Sequence, residues 1–324
     1  MGRAGRAAGL VSGLRGACIA GLVEALTVVV ERLPIERSLA FAGAFGRAWY
    51  RARGPRTRRV EEALALALPE CAPAERVGIA RAVFVHLAQS LAELLVLRGR
   101  RRAELLARVE VEGLDALAEA ARATPSGGVL VVSAHLGNWE LACAKVAALG
   151  HPVSVVYREQ RDPVLDRLLS RLRARAGSEP GGAPVERIKM GRAGLPVLRA
   201  LEAGRNVLVL LDQNARREEG VFVPFFGRPA CTRSGPLALA ALRGHPVVPA
   251  FIHRDPDGLR HRVVIEPALA LEPGAAEDDA ALRRNVARAT EAIERAIRAW
   301  PGQWIWTHRR WRTQPRPPGD APGA

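Results

Sequence analysis

The centre of the chain carries the stretch GVLVVSAHLGNWELACAKVAAL, Gly128–Leu149. Its first part, Val129–Ser133, is a continuous apolar run, which is typical of a strand buried on both faces. Its last part, Trp139–Leu149, repeats apolar residues at helical spacing. Gly137 permits a tight turn between the two parts, and Asn138 is a suitable helix N-cap. The stretch therefore predicts one strand–turn–helix unit of an α/β fold.

The same alternation of strand-like and helical segments continues downstream. Short apolar runs predict further strands at Val153–Tyr157, Asn206–Leu211, Pro246–Ile252 and Arg262–Glu266. Amphipathic stretches predict helices at Pro163–Ala176, Leu195–Ala203, Ser234–Leu242 and Asp279–Trp300. Upstream, helical spacing predicts helices at Glu61–Leu68, Ala74–Leu97 and Arg101–Arg108. Strands that alternate with helices favour the α/β class, here a mixed sheet flanked by helices.

The sequence divides into four segments. Residues 1–33 are predicted to form an N-terminal membrane-anchoring helix, because Leu10–Val30 is mostly apolar and about as long as a membrane span. Arg15 and Glu24 interrupt this stretch, so a buried core helix is the alternative interpretation. Residues 34–112 are predicted to be a helical region packed on the core, and residues 113–312 the α/β core. Residues 313–324 are rich in Pro and Gly and are predicted to be a disordered tail.

The composition indicates a folded, basic protein. The 324 residues carry a formal net charge of +15, with 48% hydrophobic and 25% charged residues, which excludes a disordered chain. The charge favours an anionic partner, such as a membrane surface, an acidic carrier, a phosphorylated substrate or nucleic acid. Only Lys145 and Lys189 are lysines, and this bias toward arginine indicates that genomic base composition contributes to the charge. The four cysteines form no Cys-x-x-Cys pair, which argues against a zinc site.

His135 and Glu140 form the first candidate constellation. On one continuous helix, two residues five apart point about 140° away from each other. At a strand-to-helix turn the two side chains can converge, so that Glu140 reaches back toward the imidazole. A carboxylate there fixes the ring tautomer and stabilises the imidazolium that forms when His135 takes a proton. The pair therefore predicts a general base for a substrate hydroxyl, the alternative being a structural turn histidine.

Polar residues at the end of the predicted strand Asn206–Leu211 form the second constellation. Asp212 and Gln213 stand where open α/β sheets place ligands. Phe225 and Phe226 follow in the motif GVFVPFFG. These two rings either line an apolar slot for substrate or belong to the core beneath a loop.

Two further features combine basic residues with possible ligand contacts. Arg233 precedes a predicted helix start, which is a suitable place to bind phosphate or carboxylate. A solvated arginine is the alternative in so Arg-rich a chain. The run WPGQWIWTHRRWR, Trp300–Arg312, is rich in aromatic and basic residues. It suits a membrane interface, a stacking surface for nucleic acid or a packed C-terminal cap.

These motifs together resemble those of the bacterial lipid A late acyltransferases, the lauroyl and myristoyl transferases of the glycerolipid acyltransferase-like group. The resemblance spans nearly the whole chain, including the N-terminal apolar stretch. The residues that carry it are His135–Glu140, Leu211–Gln213, Val223–Gly227, Thr232, Pro246–Pro249, Gln303–Trp306 and His308–Trp311.

The resemblance implies an acyltransferase at the cytoplasmic face of the inner membrane. It implies acyl carrier protein as the partner that brings the acyl thioester, and an anionic lipid A precursor as acceptor, with no metal, no cofactor and no nucleic acid. The implied catalytic residues are His135 and Glu140. The implied substrate contacts are Asn138, Arg158, Arg171, Asp212, Gln213, Phe225, Phe226 and Arg233. Arg167, Arg173 and Arg175 compete with Arg171 for its role.

Two alternatives stay open at this point. The first is the same chemistry on another acceptor, such as a phosphatidylinositol mannoside or another membrane lipid. The second is a non-enzymatic basic protein that binds membranes or nucleic acid, which accounts for the charge but not for the turn at His135 and Glu140.

Overall fold

From residue 109 onward, the described part of the chain alternates strands and helices. The computed structural model describes residues 21, 23–158, 166, 183, 185–190, 194–272, 274 and 277–316. The strands are β1 (Val109–Glu112), β2 (Val129–Ser133), β3 (Val153–Tyr157), β4 (Val185–Lys189), β5 (Asn206–Leu210), β6 (Gly220–Phe225), β7 (Arg228–Arg233), β8 (Val247–Arg254) and β9 (His261–Ile265). The helices are α1 (residues 23–32), α2 (Ile35–Arg51), α3 (Pro55–Ala67), α4 (Pro73–Val96), α5 (Arg102–Ala107), α6 (Leu114–Arg122), α7 (Trp139–Ala148), α8 (Gly194–Glu202), α9 (Gly235–Arg243) and α10 (Asp279–Ala299).

Strand β2 lies at the centre of a mixed sheet with the strand order β1-β9-β8-β2-β5-β3-β4. It pairs in parallel with β5 on one side and with β8 on the other. In this register Ser133 of β2 lies opposite Leu210 of β5. His135 and Asp212 each follow two residues later, so both leave the sheet at the same edge. Strand β9 runs antiparallel to β8, and β6 pairs with β7 in a separate hairpin.

Helices cover both faces of the sheet. Leu130 and Val132 of β2 face one layer, where α3, α4, α8, α9 and α10 pack. Val129 and Val131 face the opposite layer, where α5, α6 and α7 pack. Because both faces are covered, the central strands are mostly apolar, as the run at Val129–Ser133 predicted.

The structure confirms the α/β class and the mixed sheet flanked by helices, and it adds two edge strands. Strand β1 (Val109–Glu112) falls in the region predicted to be helical and pairs with β9, so the sheet begins before the predicted boundary at residue 113. Strand β4 (Val185–Lys189) forms the opposite edge. Both strands are short and only partly buried, so their sequences lack the continuous apolar run that marks a central strand.

The described N-terminal residues are helical and partly exposed. Helix α1 covers the end of the predicted anchor, whereas residues 1–20 lie outside the described residues. In α1, Leu26, Val28 and Val29 are exposed. Among the described helices, α4 alone is long and apolar enough to cross a membrane, with a mean hydropathy of 1.5 over its most apolar stretch. Since 56% of that stretch is buried, α4 packs as a core helix.

The C-terminal boundary lies later than predicted. Thr313 donates its backbone N–H to Oδ1 of Asn214 over 2.9 Å and its hydroxyl to the Ala215 carbonyl over 2.9 Å. Thr313, which was predicted to belong to the tail, is therefore held by the residues that follow β5. Residues 317–324 lie outside the described part of the chain. The predicted helix Pro163–Ala176 also lies almost wholly outside it.

Candidate active site

Gly137 permits the turn that carries His135 from β2 into α7. Its φ of +60° lies in the left-handed region, and a Cβ there would stand 2.0 Å from the carbonyl oxygen of Ile252. The Gly137 N–H donates to the Gln303 carbonyl over 3.1 Å, and the Ile305 N–H donates to the His135 carbonyl over 3.2 Å. The turn is therefore held both by the sheet and by the C-terminal segment.

Asp212 holds the imidazole of His135. Nδ1 of His135 lies 2.8 Å from Oδ1 of Asp212, and the backbone N–H of His135 donates to Oδ2 over 2.9 Å. The indole N–H of Trp304 donates to the same Oδ2 over 2.7 Å. Burial acts to raise the pKa of Asp212, but the charge of His135 and the hydrogen bonds from His135 and Trp304 outweigh it and bring the pKa down to about 2. Asp212 is therefore ionised at neutral pH.

This arrangement leaves Nε2 of His135 as the basic atom. Since the Asp212 carboxylate accepts the Nδ1 proton, the neutral ring presents its lone pair at Nε2. The His135 side chain is 18% exposed, whereas that of Asp212 is 1% exposed. Nε2 of Gln213 lies 3.2 Å from Nε2 of His135, and the Trp139 ring packs edge-on at 4.8 Å between centroids. A base oriented by a buried carboxylate and open on its other side is suited to activate a hydroxyl.

A buried ionic cluster anchors the start of α7. Oδ1 of Asn138 accepts from the Leu141 N–H over 3.3 Å, which confirms the predicted N-cap, and its Nδ2 donates to Glu93 over 2.9 Å. The other oxygen of Glu93 accepts from Arg254 and His261, each over 2.7 Å. Burial acts to raise the pKa of Glu93, but the charges and hydrogen bonds of Arg254 and His261 hold it well below its usual range. The cap is thus tied to a carboxylate that stays ionised.

The C-terminal segment packs as a cap over the end of β5. Trp304, Trp306 and Arg310 are buried. Arg310 donates to the carbonyl of Cys231 over 2.8 Å and to that of Gln213 over 3.4 Å. Of the three interpretations of this aromatic and basic run, the structure favours the packed cap, because the rings of Trp304 and Trp306 are buried inside the protein.

His308 belongs to the same cap. Its Nε2 accepts the backbone N–H of Asn214 over 2.9 Å. Burial is the largest cause that lowers the pKa of His308, to about 4, so the ring is neutral and able to accept this hydrogen bond. The backbone that follows Asp212 and Gln213 is therefore fixed from the C-terminal side.

The structure places three predicted site residues in surroundings that the sequence did not predict. The sequence assigned the orienting carboxylate to Glu140, but the carboxylate at Nδ1 of His135 belongs to Asp212. Asp212 and Asn138 were predicted to contact substrate; both are buried and engaged with His135 and Glu93 respectively, and their contact with substrate stays a prediction. Glu140 lies half-buried in the first turn of α7, and its catalytic role stays a prediction.

The three arginines that were predicted to contact substrate lie in different parts of the chain. Arg158 is exposed directly after β3, at the same edge of the sheet as His135. Its role in binding anionic substrate stays a prediction. Arg171 lies outside the described residues. Arg233 ends β7 and forms an ion pair with Glu219 at 2.8 Å, so its guanidinium is engaged by a carboxylate of the chain itself.

Phe225 and Phe226 belong to the buried core, and the substrate slot that the sequence assigned to them stays a prediction. Phe225 is 0% and Phe226 5% exposed. Both pack against Trp304, at 5.8 Å and 6.4 Å between ring centroids. Phe226 has a φ of +51° at the tip of the β6–β7 hairpin, and its N–H donates to Glu294 over 2.5 Å. Their side chains support the tryptophan that binds Asp212.

An apolar cavity lies beneath α7 and ends near His135. Ser133 and Trp139 line its end nearest the imidazole. Val153 and Asn206, at the beginnings of β3 and β5, line its far end. The remaining walls come from Leu117, Val131, Ala142, Cys143, Val146, Leu208, Ala250, Phe251, Ile252, Val263 and Ile265. The cavity follows the strands for their length, which suits a hydrocarbon chain.

Sequence reasoning missed the roles of Glu93 and Trp304. Glu93 stands out as a carboxylate near the end of the apolar helix α4, and this was the available signal for a buried ionic cluster. Trp304 stood in a recognised motif, but its partner is distant in sequence. Within the described ranges, no group of three or more His, Cys, Asp or Glu side chains is placed to share a metal ion.

Comparison with known proteins gives the same family as the sequence motifs. The family model for bacterial lipid A biosynthesis acyltransferase matches residues 14–313. The chain is 30% identical over 208 residues to the lipid A biosynthesis palmitoleoyltransferase of Escherichia coli strain K12, covering 64% of this chain and only 62% of that relative. It is 27% identical over 307 residues to the lipid A biosynthesis myristoyltransferase of the same organism, covering 94% of this chain and 87% of the relative. Since the family model spans most of the sequence, the chain belongs to the bacterial lipid A biosynthesis acyltransferase family.

Proposed function

We propose that the protein transfers a fatty acyl chain from an acyl-carrier-protein thioester to a hydroxyl of a lipid A precursor. The observation that carries the proposal is the 2.8 Å contact between Nδ1 of His135 and the buried carboxylate of Asp212, which leaves Nε2 as a base. Membership of the family supports the reaction class, and the relatives are named lipid A acyltransferases.

In the proposed reaction, Nε2 of His135 accepts the proton of the acceptor hydroxyl while the oxygen attacks the thioester carbonyl carbon. The new C–O bond forms in a tetrahedral adduct, and the C–S bond then breaks. The leaving thiolate takes the proton back from Nε2, which regenerates the neutral ring. Asp212 balances the imidazolium charge during the cycle. General base catalysis of this kind typically contributes about 10²–10⁴-fold.

We place the acyl chain of the donor in the cavity beneath α7. The cavity walls are almost entirely apolar, and each buried methylene of an acyl chain contributes about 0.8 kcal/mol. Ser133 and Trp139 bring the open end close to His135, where the thioester carbonyl has to lie. Asn206 stands at the far end, where its Nδ2 donates to the Pro152 carbonyl over 3.2 Å. In this arrangement the terminal methyl group points toward the amino ends of the strands.

The positive charge of the protein supports an anionic acyl donor and an anionic acceptor. The net charge of +15 favours an acidic carrier protein and a phosphorylated glycolipid. Arg158, exposed at the edge that carries His135, is the described residue that we assign to bind an anionic group of one substrate.

Helix α2 supports association with an anionic lipid surface, for which we propose the inner membrane. Phe41 and Phe45 lie one turn apart and are 68% and 60% exposed. Trp49 continues this stripe, with its ring 6.3 Å from that of Phe45. Arg37 precedes the stripe, and the guanidinium of Arg56 lies over the Trp49 ring at 5.9 Å. Exposed aromatic rings flanked by arginines match the apolar interior and the anionic headgroups of such a surface.

The direct test combines the purified protein, a lauroyl thioester of acyl carrier protein, and a glucosamine disaccharide that bears 3-hydroxyacyl chains. We expect acyl transfer to the chain hydroxyl, and we expect His135→Ala to abolish it. His151→Ala, which changes a histidine in the loop after α7, serves as the matched control. Full activity of His135→Ala would refute the base assignment.

The acceptor is tested in the same assay. A phosphatidylinositol mannoside, offered in place of the disaccharide, distinguishes the two membrane glycolipids. Mass spectrometry of lipid A from cells that lack the protein should show a missing secondary acyl chain. Unchanged lipid A, together with transfer to the mannoside alone, would show that lipid A is not the acceptor. The proposed acyl transfer reaction would still stand.

A further inference from the structure

The amide of Gln213 lies beside the imidazole and off the axis of its lone pair. Its Nε2 lies 3.2 Å from Nε2 of His135 and 3.5 Å from Nδ1. A donor on the in-plane lone-pair axis of Nε2 would lie about 5 Å from Nδ1, because the width of the ring adds to the hydrogen-bond length. The amide therefore sits over the ring. It does not occupy the axis along which an acceptor hydroxyl approaches Nε2.

The backbone of Gln213 is fixed independently of its side chain. The preceding residue, Asp212, is held by His135 and Trp304. Arg310 donates to the Gln213 carbonyl over 3.4 Å. The amide thus projects from a fixed strand end, and the contacts described for it go to the imidazole. Such preorganised donors are the groups that stabilise a developing charge most effectively.

We infer that Gln213 is a further catalytic residue, whose amide N–H donates to the oxygen anion of the tetrahedral adduct. This inference rests on the proposed acyl transfer. When the hydroxyl oxygen attacks, the carbonyl π electrons move to the carbonyl oxygen, which becomes negative within one bond of the attacked carbon. The amide lies within hydrogen-bond distance of the atom that takes the hydroxyl proton, so the new anion forms within its reach. When the C–S bond breaks, the charge leaves with the thiolate and the carbonyl is restored.

A neutral amide suits this position beside a general base. It carries no proton that His135 can remove, and it has two N–H donors, of which one can turn to the anion. A cation at the same distance would disfavour the protonated imidazole by repulsion. The two residues therefore have different roles: His135 transfers the proton, and Gln213 stabilises the oxygen anion of the adduct.

The test compares two donors that differ in one atom: a lauroyl thioester and the corresponding dithioester, in which sulfur replaces the carbonyl oxygen. Sulfur is a weaker hydrogen-bond acceptor, so an amide that binds the anion makes the wild-type protein prefer the oxygen substrate. We expect Gln213→Ala to lower kcat with the thioester by about 10²–10³-fold, with KM changed less than about threefold. We also expect it to remove most of the preference for oxygen over sulfur.

Gln213→Glu gives a second, nearly isosteric variant. Its carboxylate would repel the anion, so we expect a lower kcat than that of Gln213→Ala. Wild-type thermal unfolding in both variants excludes a loss of fold. If Gln213→Ala keeps the full preference for the oxygen substrate, or if Gln213→Glu matches the wild-type kcat, the inference is wrong. A wild-type protein that transfers no acyl chain from either donor would overturn the proposed function as well.

Discussion

Trp304 donates its indole N–H to Oδ2 of Asp212 over 2.7 Å, although the two residues are separated by 92 positions in the sequence. The other oxygen of that carboxylate receives Nδ1–H of His135. The indole therefore acts on the imidazole through the carboxylate: it fixes the orientation of Asp212 and contributes to the low pKa of that group.

Replacement of Trp304 by Phe should change the pH dependence of the reaction. Loss of the indole donor raises the pKa of Asp212, so the carboxylate becomes more basic and holds the protonated imidazole more strongly. The acid limb of the kcat/KM profile should therefore move to higher pH. Trp306→Phe is the matched control, because the buried Trp306 indole donates to the Pro301 carbonyl over 2.8 Å instead. Equal profiles for the two variants would contradict a role of Trp304 in tuning the base.

Substitution of the two carboxylates near the turn should separate their roles. Asp212→Asn removes the charge that stabilises the imidazolium and should lower kcat by about 10²–10⁴-fold. Glu140→Gln should lower it less, because Asp212 already occupies Nδ1 of His135. Steady-state kinetics with the lauroyl donor shows which of the two variants loses more of its kcat. A larger loss in Glu140→Gln would restore the orienting role that the sequence assigned to it.

Substitution of Glu93 should destabilise the fold strongly. Glu93→Ala leaves Arg254 buried without its carboxylate and frees the Asn138 cap, which should lower the free energy of unfolding by about 3–5 kcal/mol. Glu70→Ala removes one partner of the half-exposed Arg298 at the surface and should leave the free energy of unfolding nearly unchanged. Chemical denaturation of both variants measures the difference. A similar small loss in both would show that the buried cluster is not energetically coupled to the cap.

A bulky residue at Val146 should shorten the acyl chain that the protein prefers. Val146 lies two turns along α7 from Trp139, or about 10 Å from the end nearest His135. Val146→Trp should lower kcat/KM for a 14-carbon donor by at least about tenfold relative to an eight-carbon donor, since lost methylene burial accumulates with chain length. Val77→Trp, at an exposed position of α4, is the control. An unchanged preference for acyl chain length would show that the acyl chain does not bind in this cavity.

Loss of the aromatic stripe should weaken binding to lipid. The double substitution Phe41→Ser and Phe45→Ser should reduce sedimentation of the full chain with phosphatidylglycerol vesicles by at least about tenfold, because each ring contributes about 1.5–3 kcal/mol when buried. The control is the double substitution Leu195→Ser and Leu242→Ser, which changes two apolar residues on other helices that are 57% and 56% exposed. The same loss in both double variants, or none in the first, would contradict a specific lipid-binding face on α2.

Much of the architecture was predictable from local sequence. The apolar run Val129–Ser133 and the amphipathic stretch from Trp139 appear as β2 and α7, because a strand covered on both faces and a helix covered on one leave distinct periodicities. The edge strands β1 and β4 were not predicted, because a half-exposed strand of four or five residues leaves a weak pattern.

The sequence also located His135 and its turn. His135 after an apolar run, Gly137 for the left-handed turn and Asn138 for the cap are local requirements, and each was met. Its choice of Glu140 as partner followed from proximity in the chain, which is the information that a single sequence provides.

Only the tertiary structure decided which carboxylate faces the imidazole. Parallel pairing of β2 with β5 sets Ser133 opposite Leu210, and this register brings Asp212 to His135 across a long interval of sequence. The return of the C-terminal segment then places Trp304 on Asp212. The sequence by itself determined the elements and the basic residue at their junction. The pairing of distant strands, which depends on long-range packing and hydrogen bonding, determined that Asp212 contacts His135.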